Sequence, residues 1–250
     1  MNKTDKVKSI QKGFSILAEN DLEEYRADSF FKKEPETVAW IDSFEEGRVF
    51  FDVGANIGIY ALYGAITRKC QTYAFEPYYK NFRRLIDNIK LNKVDQQCQP
   101  FLCGLADDTK LDSFFVMEER SSSSGHQLGA PEDEFGKSFD PVLSYPLFVY
   151  SVDSFVKAFN VPVPSYIKVD VDGLEPKIIE GMKETLKSDE LRSICIELNM
   201  SPELKEEQKK FFSQYGFTTD NSFNTHPEHS RIRRAAKNQG WCENIIFTKN

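Results

Sequence analysis

The chain has 250 residues, 40% of them hydrophobic and 28% charged, the balance of an ordinary soluble globular protein with room for one domain and an appendage. Its net charge of −7 argues against a protein that carries nucleic acid by bulk electrostatics. No stretch approaches 18 consecutive apolar residues and the opening MNKTDKVKSIQKGF lacks the apolar core of a signal peptide, so neither a membrane span nor a secretory leader is expected.

Residues 1–46 read as a mostly helical, charged appendage, with apolar faces at Phe14, Ile16 and Leu17 and then at Phe30, Phe31, Val38 and Trp40. From 47 onward strands and helices alternate: strand 48–53, helix 57–68, strand 71–75, helix 78–92 and strand 96–103. In the second helix Phe82, Leu85, Ile86 and Ile89 recur at helical spacing and define an apolar face. Such alternation implies a parallel sheet covered on both faces. The alternation fails within an insertion at about 118–150, which holds the run SSSSG at 121–125 and is expected to be a functional or a disordered loop. Short strands are expected at 114–116 and 147–151. It resumes with strand 165–171, helix 174–187, strand 193–198 and helix 202–215, and Phe217–Thr219 with Glu243–Thr248 reads as a closing antiparallel pair. Five cysteines, at 70, 98, 103, 195 and 242, form no C-x-x-C pair, which fits free thiols in a reducing cytosol and a cytoplasmic location.

The most informative stretch is VFFDVGANIG at 49–58. An apolar strand ends in Asp52, and Gly54 and Gly58 carry the chain into a helix, the arrangement that lets a nucleotide-like ligand approach backbone and helix N-terminus. An unpaired buried carboxylate is costly, so Asp52 implies a partner. Glu76 closes the next strand 18 residues beyond Gly58, where a carboxylate reaches ribose hydroxyls. Position 56 is Asn56, not the middle glycine of G-x-G-x-x-G, so the turn suits a ligand with one ribose and no diphosphate. Asn56 itself reads either as a helix cap or as a ligand contact. Asp170 stands at the carboxyl end of a central strand, where open α/β sheets place their ligands, and competes with the reading in which it merely pairs with Lys168. Asp172 reads as the N-cap of the following helix. Glu197 and Asn199 end the next strand, and Glu197, alternating against Ile196 and Leu198, is expected to face the cleft.

Four motifs in order, DVGANIG at 52–58, FEP at 75–77, KVDVDGLE at 168–175 and ENIIF at 243–247, resemble those of the FkbM family of S-adenosylmethionine-dependent methyltransferases and span about 200 residues. The departure is Asp172, where the family usually carries glutamate, one methylene longer. The resemblance implies a Rossmann-like class I methyltransferase fold: a mostly parallel seven-stranded sheet with a closing antiparallel strand, preceded by N-terminal helices. It implies S-adenosylmethionine as cofactor, held by Asp52, Gly54, Asn56, Gly58 and Glu76. The acceptor it implies is a hydroxyl of a sugar, glycan or polyketide-type product. Loss of the hydroxyl proton needs a base, for which Asp170 comes first and Glu197 and His126 after it. Asp170, Glu197 and Asn199 imitate the ligand set of metal-assisted methyltransferases, but the resemblance calls for no metal. His226 and His229 lack supporting cysteines for zinc, and Arg231, Arg233 and Arg234 read as an anion clamp or a solvated basic face. Segments 118–150 and 221–242 are expected to form the acceptor pocket. Two other classes stay open. One is a catalytically silent cofactor-binding scaffold; the other is a nucleotide-dependent oxidoreductase, against which Asn56 argues.

Overall fold

The computed structural model describes residues 6–133, 135–199, 202–224 and 242–249. Its centre is a seven-stranded sheet. Strands β3 (Val49–Val53), β4 (Gln71–Phe75), β5 (Cys98–Phe101), β10 (Tyr166–Val169) and β11 (Ser193–Asn199) run parallel. β13 (Cys242–Lys249) is antiparallel to β11, and β12 (Phe217–Thr219) is antiparallel to β13. The order is β12-β13-β11-β10-β3-β4-β5. The chain therefore winds outward from β3 in one direction and from β10 in the other. The crevice at the carboxyl ends of β3 and β10 is the topological switch point where such sheets bind ligands. This is the Rossmann-like α/β architecture expected, with its closing antiparallel pair.

Strand alternation sorts the core into two layers. Phe50, Ala74, Tyr166 and Cys195 face α2 (Pro35–Asp42), α3 (Ile59–Thr67) and α4 (Tyr79–Asn92). Phe51, Val53, Ile167, Val169 and Ile196 face α5 (Val152–Phe159), α6 (Glu175–Glu180), α7 (Lys183–Lys187) and α8 (Pro202–Ser213). The expected helix over 174–187 is two helices broken at Gly181, where a side chain would lie 2.1 Å from the Ala106 carbonyl.

Two expectations need correction. The N-terminal stretch opens not with a helix but with a hairpin, β1 (Lys6–Ile10) and β2 (Phe14–Ala18), before α1 (Asp21–Lys33) and α2 follow. Lys12 and Gly13 take left-handed conformations that close the turn. The buried face of α4 is also rotated from the apolar one. Ile86 is 42% exposed, while Asn81, Arg84 and Asn88 are buried beside Leu85 and Ile89. Asn81 and Asn88 bond to backbone, and Arg84 pairs with Glu19 and Glu23. Asn88 Oδ1 accepts from the Leu17 amide, and Asn92 Oδ1 from that of Ser15, fixing the hairpin to α4.

The irregular interval is built, not loose. β6 (Gly104–Leu105), β7 (Lys110–Val116), β8 (Gln127–Leu128) and β9 (Leu143–Tyr150) form a second sheet in the order β6-β9-β7-β8. Its inner face, Phe114, Val116, Leu128 and Val149, packs with Tyr78. Cys70, Cys98, Cys103 and Cys195 are buried free thiols.

Candidate functional site

The turn after β3 is held by backbone. The Gly54 and Ala55 amides both donate to the Phe75 carbonyl, each at 3.0 Å. Gly54 has φ +81°, and a Cβ there would lie 1.9 Å from the Asp170 carbonyl oxygen. Glycine is thus demanded by the packing of the turn on the end of β10, before any ligand is considered. Gly58, at φ +88°, makes room for Leu85 of α4 in the same way and is itself the N-cap of α3. Asn56 does not cap that helix. Its Oδ1 accepts from the Ile57 amide and its Nδ2 donates to the Ser123 carbonyl at 3.1 Å.

Glu76 ends β4 beside this turn. Oε2 accepts from the Asn56 amide at 2.7 Å and Oε1 from the Tyr78 amide at 2.9 Å. Burial pushes its pKa up to about 7, against the pull of those two donors.

Asp52, Lys168 and Cys195 are cross-strand neighbours on one face of the sheet. Asp52 is 1% exposed, with the Ala61 amide of α3 as a donor toward it. Burial pushes its pKa up to about 6, while the Lys168 ammonium opposes that rise and is the partner its charge required. Lys168 Nζ lies 2.5 Å from Asp170 Oδ2 and 4.8 Å from the centre of the Tyr60 ring. Burial disfavours the Lys168 charge, but Asp170, Glu34 and Asp52 together outweigh it and raise its pKa. Burial likewise disfavours the Asp170 carboxylate; Lys168, Lys33 and a hydrogen bond with Glu197 overcome it and hold its pKa well below the usual range. Asp170 and Lys168 are therefore a pair, as the competing reading had it, and Asp170 still borders the cavity. Glu34, buried at the end of α1, belongs to this cluster although no motif pointed to it.

The SSSSG segment closes the site as an ordered loop. Asn81 of α4 accepts from the Ser122 amide at 2.6 Å and donates to the Ser123 carbonyl at 3.0 Å. Arg26 of α1 donates to Ser122 Oγ at 2.6 Å. Asp172 does not cap α6; it turns aside with φ +55° and accepts from the Gly125 amide at 2.7 Å. His126 Nδ1 accepts from the Met117 amide at 3.1 Å, so its neutral ring carries the proton on Nε2, 2.9 Å from Ser123 Oγ. Burial pulls its pKa down to about 4. Both nitrogens thus serve the loop.

These parts enclose a cavity of about 310 Å³. Gly54, Asn56, Glu76, His126, Asp170 and Glu197 line it, whereas Asp52 and Gly58 lie behind the turn. One end is apolar, with Cys103, Leu105, Phe114 and Leu128; the other is charged, with Arg26, Lys33 and Asp170. Sequence reasoning missed Arg26, Lys33 and Asn81, which stand far from the glycine turn or on a helix face expected to be exposed. Among the described residues no group of three His, Cys, Asp or Glu is placed to hold a metal ion, and no helix is long and apolar enough to cross a membrane. His226, His229, Arg231, Arg233 and Arg234 lie outside the described residues.

The family described as methyltransferase FkbM domain matches residues 52–240. The hexuronic acid methyltransferase AglP of Haloferax volcanii is 27% identical over 169 residues, which are 68% of this chain and 63% of that protein, less than two thirds of its length. Among solved structures, M. jannaschii TYW2 in complex with AdoMet gives a TM-score of 0.47 at 13% identity, over all of this chain and 89% of that one. The precorrin-6y C5,15-methyltransferase of Geobacter metallireducens gives 0.45 at 11% identity, over 87% of each chain.

Proposed function

The chain belongs to the FkbM methyltransferase family, and on that premise we propose that it transfers a methyl group from S-adenosylmethionine to a hydroxyl oxygen of a sugar, glycan or polyketide-type product. The observation that carries the cofactor reading is the Glu76 carboxylate in the cavity wall. Oε2 takes one short backbone N–H bond and keeps a lone pair for a ribose hydroxyl, while Oε1 takes the Tyr78 amide and, at 3.5 Å, the Asn81 side-chain amide, a long bond that a second hydroxyl of the diol can displace. The residues fit the cofactor on both sides of that anchor. Cys103, Leu105, Phe114 and Leu128 offer an apolar slot for a flat base, and Gly54 and Asn56 bring the turn to the rest. The hexuronic acid named for the relative AglP supports a sugar acceptor.

Bound there, S-adenosylmethionine supplies an electrophilic methyl group; the protein supplies alignment. Holding an acceptor oxygen in line is worth up to about 7–11 kcal/mol in favourable cases. Asp170 faces the cavity as an ionised acceptor, fixed in direction by Lys168. It orients the acceptor hydroxyl and takes its proton as the new bond forms. Its low basicity makes orientation the larger share of that role, and Glu197, hydrogen-bonded to it, is the second carboxylate within the same wall. His126 holds Ser123 and the loop instead of reaching the acceptor. The loop's Ser123 and Ser124 line the same cavity and offer hydroxyls to an acceptor.

Calorimetric titration with S-adenosylmethionine, S-adenosylhomocysteine and NAD tests the reading. The first two bind and NAD does not. Binding of NAD alone, or of none of the three, overturns it.

A further inference from the structure

α1 precedes residue 52, where the family match begins, yet it borders the cavity. Arg26 and Lys33, seven residues apart and so on one helix face, line a recess together with the glycine turn. Between α1, that turn and the first turn of α3 lies a side recess of about 40 Å³, to which both cations contribute. Arg26 bonds only to the neutral Ser122, through Oγ at 2.6 Å and the carbonyl at 3.1 Å, and has no carboxylate partner among the described residues. Its field reaches Glu76 on one side and Lys33 on the other. Lys33 pairs with Glu34 at 2.8 Å, a carboxylate that Lys168 also draws on. Asp170 borders the recess too; its charge is bonded to Lys168 at 2.5 Å and also acts on Lys33. The recess is thus a half-buried site holding a guanidinium with no carboxylate bonded to it, at the N-terminal end of α3.

The polarity of the cavity orders the ligand. A ribose on Glu76 and a base in the apolar slot leave the amino-acid end to extend toward the glycine turn and α1. We propose that Arg26 and Lys33 bind the α-carboxylate of that amino-acid end, so that the segment before residue 52 completes the cofactor site. This rests on the reading of the cavity given above.

The test compares two ligands on the full chain. S-adenosylhomocysteine carries the carboxylate; 5′-methylthioadenosine has the same base, ribose and thioether without it. Arg26→Gln and Lys33→Met are titrated with both by calorimetry. Each substitution should weaken S-adenosylhomocysteine on the order of 10-fold or more and leave 5′-methylthioadenosine within about 2-fold. Equal losses for both ligands would mean that α1 acts only by holding the Ser122 loop, and overturn the proposal. Unchanged S-adenosylhomocysteine binding overturns it as well, including the case in which only glucuronate, as a carboxylate-bearing acceptor, loses affinity. A parent protein that binds neither adenosine ligand refutes the cavity reading itself, and the proposal with it, a result distinct from the others.

Discussion

Replacing Glu76 by Gln gives the sharpest test of the proposal that the cavity holds a ribose. Burial pushes the Glu76 pKa up to about 7, so near neutral pH about half of the free protein carries a proton there. Ribose hydroxyls donate hydrogen bonds and favour the carboxylate, so binding must expel that proton. The sign follows: affinity is full above pH 7 and falls as pH drops through that value. The dissociation constant then rises roughly 10-fold from pH 8 to pH 6, about 1.4 kcal/mol. Gln keeps the shape but cannot titrate, so the Glu76→Gln profile loses this slope. It also turns one acceptor into an amide donor facing the Asn56 or Tyr78 amide, leaving a buried N–H unpaired. Together with the lost charge-assisted bonds, the variant should bind about 1.5–3 kcal/mol more weakly at pH 8. Asp52 and Glu175, also raised to about 6 and 7, remain in both proteins, so their contribution cancels in the comparison. Titrations of S-adenosylhomocysteine at pH 6, 7 and 8, in buffers of different ionisation enthalpy, give both the constant and the protons released. A parental affinity flat in pH, or a Gln variant with the parental slope, refutes the argument.

Gly54→Ala should lower the thermal midpoint by several degrees even without ligand, at about 2–4 °C per kcal/mol for a chain of this size, because its Cβ would meet the Asp170 carbonyl at 1.9 Å. Gly58→Ala meets only the end of the Leu85 side chain, at 2.3 Å, and the same melting experiment should show a smaller fall. Lys168→Met strips the buried Asp170, Glu34 and Asp52 of their shared cation, and chemical denaturation should record a loss of about 3–5 kcal/mol. Asp170→Asn should keep the fold and the affinity for S-adenosylhomocysteine yet lose roughly 100-fold or more in turnover on the acceptor that supports parental activity; near-parental turnover removes Asp170 from the mechanism. Hydrogen exchange should show added protection within 118–150 when acceptor joins cofactor, and its absence would place the acceptor elsewhere.

The sheet was legible because its signals are local. Phe50 and Phe51 form an apolar run that stops at Asp52 and Gly54, and Tyr73 to Phe75 one that stops at Glu76, so strand and turn announce themselves within a few residues. The site's second half depends on partners far away in sequence. Ser122 and Ser123 look like a solvated run until Asn81 and Arg26 take up their polar groups. Asn81, Arg84 and Asn88 look like an exposed face because an unpaired buried polar group is costly, and their pairing becomes visible only in three dimensions. Asp170 lines the cavity, at the end of the strand that alternation marks, but the depth of its commitment to Lys168 and the presence of Glu34 cannot be read from alternation alone. The turn at Lys12 and Gly13 is a local signal, but it is set in a charged stretch that reads as helical.

α4 binds three separate segments with one row of side chains. Asn92 and Asn88 hold the hairpin, Arg84 pairs with Glu19 and Glu23, and Asn81 grips the serine loop. Ser121 closes the circuit by donating to Glu23 at 2.6 Å. The 118–150 segment, proposed above to border the acceptor, is therefore not a detachable module. A graft that imports a relative's 118–150 segment to redirect the enzyme toward a new acceptor would bring new contacts but leave behind their fastenings. Chimeras should be cut to carry residues 6–33 and the polar row of α4 along with the loop.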